Sequence, residues 1–172
     1  MRILVIDDDA YIRSGLRRLL VRKYGAEVAE ASDGVVGLQC LLDGTYDLVL
    51  LDLHMRTMDG METLRAIRRS PKLGSMPIMM LTGDSDESIV ANALALGVQD
   101  FLIKPVDATI LFERIDAALV RAGKDVPVAA EAGVPSIVTD SVTIPIVPAV
   151  AAPAPPRTPI RRVLAECVKL RY

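Results

Sequence analysis

A chain of 172 residues with formal net charge -2 and mean hydropathy +0.36 has room for one well-buried domain and a tail, and its charge balance excludes a global polycation for nucleic acid or an anionic membrane. Its two cysteines, Cys40 and Cys167, lie far apart without metal-ligand neighbours, which argues against a disulfide framework or a zinc site. No apolar run approaches the roughly 18 residues that span a bilayer, and the first one meets Asp7 too soon for a signal-peptide core; the expected setting is the cytoplasm, with no membrane partner.

In chain order, Ile3-Leu4-Val5-Ile6 reads as a short buried strand that ends at Asp7-Asp8-Asp9. Ile12, Leu16, Leu19 and Leu20 then recur at helical spacing, with Arg13, Arg17, Arg18 and Arg22 on the other side and Gly25 as the stop. Asp9 is expected to cap this first helix. A weak strand over residues 27–30 leads to a second helix with Ser32 as its expected N-cap. Gly34, Gly37, Leu38 and Leu41 form its inward face, the glycines allowing close approach to the sheet.

After the break at Asp43-Gly44, Leu48-Val49-Leu50-Leu51-Asp52 reads as a strand buried on both faces that delivers a carboxylate to its C-terminal end. A turn over residues 56–59 opens a third helix, with Met61, Leu64 and Ile67 inward, Arg65, Arg68 and Arg69 outward, and Ser70-Pro71 as its end. Pro77 starts a fourth strand that delivers Thr82. Ile89, Ala93 and Leu96 face a fourth helix inward up to Gly97, and Phe101-Leu102-Ile103 forms a fifth strand ending at Lys104-Pro105. Asp107 caps the last helix, with Val106 and Leu111 as a hydrophobic staple and Leu111, Ile115 and Leu119 inward.

Five alternations of strand and helix over residues 1–121 predict an α/β fold with a five-stranded parallel sheet, doubly wound. The remainder differs. Eight of the chain's eleven prolines fall between residues 122 and 159, so residues 122–158 are expected to form an Ala/Pro-rich linker. Residues 159–172 are expected to form a short amphipathic basic helix with Ile160, Val163, Leu164, Cys167 and Val168 on one face. That helix would be a docking segment or the start of an output region, and its charge does not decide for or against nucleic acid.

Parallel strands finish on one side, so Asp7, Asp8, Asp52, Thr82 and Lys104 are expected at one edge of the sheet, where open α/β sheets bind ligands. Each has an ordinary reading as a cap, a turn residue or a loop start. Together they point to a reactive pocket.

With Val5-Ile6-Asp7-Asp8, Leu50-Leu51-Asp52-Leu53-His54-Met55, Met58-Asp59-Gly60, Leu81-Thr82-Gly83 and Phe101-Leu102-Ile103-Lys104-Pro105, the chain resembles the receiver domain of bacterial response regulators, the CheY-like family. The intervals fit as well: 44 residues from Asp8 to Asp52, 30 on to Thr82 and 22 more to Lys104. The resemblance covers residues 1–121. It implies a two-component phosphorelay protein, not an enzyme acting on outside substrates, that takes a phosphoryl group on Asp52 from a histidine kinase or histidine phosphotransfer protein. It implies Mg2+ as the cofactor, with Asp8 and Asp52 as direct ligands, His54 through its backbone carbonyl and Asp7 mainly through water. Lys104 would pair with a phosphoryl oxygen across a cis Lys104-Pro105 bond, and Thr82 with Phe101 would form the switch. Homodimerisation through the fourth helix, fifth strand and fifth helix is a further expectation. Arg56 stands where the family usually has proline, and Gly83 where a small residue such as alanine is common.

Three other readings fit less well. A hydrolase with an aspartate nucleophile wants a second Asp two residues on, where this chain has His54. A flavodoxin-type cofactor binder wants a phosphate loop where Asp7-Asp8-Asp9 stands. A receiver that docks without phosphorylation would not need Asp8, Asp52, Thr82 and Lys104 together. The receiver part of a transcriptional regulator, its output domain absent or unrecognised, stays open as a description of the whole protein.

Overall fold

The structure is a computed structural model, and it describes residues 1–83 and 87–127. Five strands alternate with five helices: β1 (Arg2–Ile6), α1 (Ala10–Tyr24), β2 (Glu27–Ala31), α2 (Gly34–Asp43), β3 (Leu48–Asp52), α3 (Gly60–Arg69), β4 (Ile78–Thr82), α4 (Glu87–Ala95), β5 (Asp100–Ile103) and α5 (Ala108–Arg121). The sheet is parallel throughout, in the order β2-β1-β3-β4-β5. The linker expected over residues 122–158 and the helix expected over residues 159–172 lie, from residue 128 on, outside the described residues.

The parity of the strand residues explains why the sheet needs cover on both sides. Leu4, Ile6, Val49, Leu51, Ile78 and Met80 pack with residues of α2 and α3, whereas Ile3, Val5, Leu48, Leu50, Met79 and Leu81 pack with residues of α1 and α5. Alternate side chains of a strand point to opposite faces, so these runs, apolar at every position, feed two cores at once. β3 and β4 are fully buried, and each carries its single polar residue, Asp52 or Thr82, at its last position.

Helix ends follow the expected chemistry with one shift. Asp9, Asp59 and Asp107 cap α1, α3 and α5 through their carboxylates, and Asp59 forms a reciprocal capping box with Glu62. Val106 and Leu111 are buried in the same core as the staple requires. For α2 the cap is Asp33 and not Ser32: its Oδ1 accepts from the N–H groups of Val35 and Val36 at 2.9 and 3.0 Å. The helix starts one residue later, at Gly34, where a Cβ would meet Met58 and Thr63. Gly37, by contrast, does abut the sheet, at Ile6.

A second departure is Arg68. Its guanidinium does not point outward with those of Arg65 and Arg69. It donates to the carbonyls of Leu96 (2.8 Å), Gly97 (2.8 Å), Gly74 (3.1 Å) and Met76 (2.9 Å), which ties α3 to the segments before β4 and after α4. Burial pulls its pKa below the usual arginine range. Backbone carbonyls left over at loop and helix ends are what a five-donor planar cation can satisfy.

Candidate functional site

Each polar group at the sheet edge is carried there by a strand paired in parallel with its neighbours, so the strand ends fall on one side of the sheet. Asp7 follows β1 and is fully buried; its N–H donates to the carbonyl of Ala31 at 3.1 Å. Asp52 ends β3 in register with Leu81 of β4 and is 4% exposed. Thr82 ends β4, is 2% exposed, and its carbonyl accepts from the N–H of Lys104 at 2.7 Å. Lys104 follows β5 immediately, and its bond to Pro105 is cis.

Lys104 Nζ donates to Asp7 Oδ2 at 2.7 Å and to Asp52 Oδ1 at 2.8 Å. One ammonium therefore bridges the two buried carboxylates. Asp8 lies at the rim, more exposed, and one carboxylate oxygen from each of Asp7, Asp8 and Asp52 falls within 4.8 Å of the others. The other Asp7 oxygen accepts from the N–H of Asp9 at 2.8 Å.

The electrostatics follow from this inventory. Burial, then the negative charge of Asp7, pushes the Asp52 carboxyl up to about 6 against the pull of Lys104. Burial also raises Asp7. Burial alone would lower Lys104, but its two carboxylate partners outweigh that and raise it, so it stays charged. Three acids against one buried ammonium leave the pocket short of positive charge. Hard oxygen donors with excess negative charge suit a divalent cation such as Mg2+, and this donor set fits one.

The remaining expected residues fall around the pocket. His54 lies two residues beyond Asp52 and is exposed. Phe101 is half-buried and packs on the core shared by α2 and α3. Asp9 serves as a cap. The contacts of two arginines had no signal in the sequence. Arg13 donates to the carbonyl of Asp7 at 2.7 Å and pairs with Glu30 at 3.6 Å. Arg56 Nε donates to Asp8 Oδ2 at 3.2 Å. All are made by long side chains across gaps that local spacing does not encode.

The model of the response regulator receiver domain family matches residues 3–116. The chain is 33% identical over 116 residues to the chemotaxis protein CheY of Pseudomonas aeruginosa, covering 67% of this chain and 94% of that one. It is 38% identical over 123 residues to the transcriptional regulatory protein AfsQ1 of Streptomyces coelicolor, covering 72% of this chain but 53% of that one. Among solved structures, a response regulator receiver domain protein from Clostridium thermocellum is 33% identical with a TM-score of 0.65, over 71% of this chain and 96% of that one.

Proposed function

Since the chain belongs to the response regulator receiver domain family of two-component signalling, whose members partner with histidine kinases, we propose that it takes a phosphoryl group on Asp52 from a histidine kinase or a histidine phosphotransfer protein and changes its protein contacts in response. The observation that carries this reading is the bridge from Lys104 to both Asp7 and Asp52 at 2.7 and 2.8 Å beside a third carboxylate.

In the transfer, an oxygen of Asp52 forms a bond to phosphorus as the phosphorus–nitrogen bond of the donor phosphohistidine breaks, and the imidazole leaves with the electron pair. Lys104 holds Asp52 at the strand end before transfer, and its ammonium then pairs with a phosphoryl oxygen. Asp8, Asp52 and the His54 carbonyl would ligate Mg2+, with Asp7 acting mainly through water; the ion supplies positive charge to the phosphoryl oxygens and to the crowded acids. The Thr82 hydroxyl would bond the phosphoryl group, and Phe101 would move into the space that Thr82 vacates. Leu94 of α4, Ile103 of β5 and Ile110 of α5 are exposed, and a second copy of the chain or another output partner would dock on these elements.

Intact-mass measurement after treatment with a small acyl phosphate tests the reading. We expect one added phosphoryl group with Mg2+, none after chelation, and none in Asp52→Asn. Equal labelling of that variant would overturn the assignment.

A further inference from the structure

We propose that Arg56 is a tethered competitor for the metal ion, a guanidinium that holds Asp8 until a divalent cation displaces it. The proposal rests on the metal site of the preceding reading and adds to it a residue that sets the ion's affinity. Arg56 Nε lies 3.2 Å from Asp8 Oδ2, so it neutralises one of the three carboxylates that the cation would draw on.

The loop that presents Arg56 is anchored. Leu53, Met55 and Met58 are buried along it, and Asp59 caps α3 at its end. The backbone of residues 53–59 is thereby fixed, while the arginine side chain, 77% exposed, is free of packing. Its position two residues after His54 puts the competitor and the proposed carbonyl ligand on one loop. A cation binding Asp8 competes with Arg56 for the charge of one carboxylate and comes to rest near a like charge.

The size of the effect follows from the exposure. An exposed ion pair contributes about 0.2–1 kcal/mol, and 1.4 kcal/mol is a factor of ten, so loss of the pair should tighten cation binding by about 1.4- to five-fold. Lysine keeps the charge but not the fork, so Arg56→Lys should fall between the two.

Titration calorimetry of the full chain with magnesium chloride measures this without any phosphoryl transfer. Arg56→Gln and Arg56→Ala should each bind Mg2+ about 1.4- to five-fold tighter than wild type, and the gap should narrow as salt is raised. Arg69→Gln is the charge control. It lies exposed at the last turn of α3, nine residues and about 14 Å along the helix from the end that meets the pocket, and it should bind as wild type does. Equal or weaker binding by both Arg56 variants would overturn the proposal, as would equal tightening by Arg69→Gln, while the metal site itself would stand. No Mg2+ binding by any of the proteins would remove the metal site and this inference with it.

Discussion

Asp52 is held ready at a cost that its own titration records. Its carboxyl is raised to about 6 from the ordinary 3.8, so between those values the folded chain keeps a proton that the unfolded chain has shed. Metal-free stability should therefore fall as pH rises from about 4 to 6. Asp52→Asn, which mimics the neutral form, should stabilise the metal-free protein at neutral pH by about 1–3 kcal/mol, read from urea unfolding with and without chelator. A variant no more stable than wild type would mean that Lys104 offsets the burial in full. The nucleophile must also be ionised, so labelling by a small acyl phosphate at limiting Mg2+ should slow as pH drops through about 6. The polar residues at strand ends were legible in the sequence, because each stands where an apolar run stops. Arg56 on Asp8, Arg13 on the Asp7 carbonyl and Arg68 on four carbonyls were not. A flexible arginine is satisfied by whatever backbone or carboxylate the fold brings near, and helical periodicity assigns it to the solvent by default.

The elements place the pocket by contacts that leave little slack. Gly60 opens α3 directly against the end of β3: a Cβ there would collide with the Asp52 carbonyl and come within 2.8 Å of Leu53 Cα, both backbone. Neither can yield as a side chain can. Gly60→Ala should cost about 1–3 kcal/mol by overpacking and should also weaken Mg2+ binding, since β3 carries Asp52; normal stability and binding would show that the loop absorbs the extra methyl group. Arg68→Ala strips the donors from four carbonyls and should cost about 2–3 kcal/mol in urea unfolding, with Arg68→Lys recovering only part, because one ammonium cannot reach all four. Strands β1, β3 and β4 were readable from their unbroken apolar runs and β2 only weakly, since two glutamates interrupt it, and caps from Asp at helix starts. The shift from Ser32 to Asp33 had no local signal, as the two residues cap comparably.

For the molecule as a whole, the order β2-β1-β3-β4-β5 puts the ends of β1, β3, β4 and β5 side by side, so residues up to 97 positions apart meet at one ammonium. The alternation of strands and helices made a parallel sheet covered on both sides legible, whereas the order of its strands came only with the structure. How the acids partition charge among Lys104, Arg56 and a cation depends on distances that only the assembled sheet defines. The region beyond residue 127 enters as a proposal: a tethered segment of interaction following a phosphorylatable core. Limited proteolysis should cut between residues 122 and 159 and leave the core whole, whereas a resistant, separately folded fragment of residues 122–172 would reinstate a second domain. The central claim is that Asp52 alone accepts the phosphoryl group. Borohydride reduction of the phosphorylated chain converts an aspartyl phosphate to homoserine, and peptide mapping then reads its position. Homoserine at position 52, and only after phosphorylation, is the predicted result; homoserine at position 7 or 8 with Asp52 unchanged, or none anywhere, would contradict it.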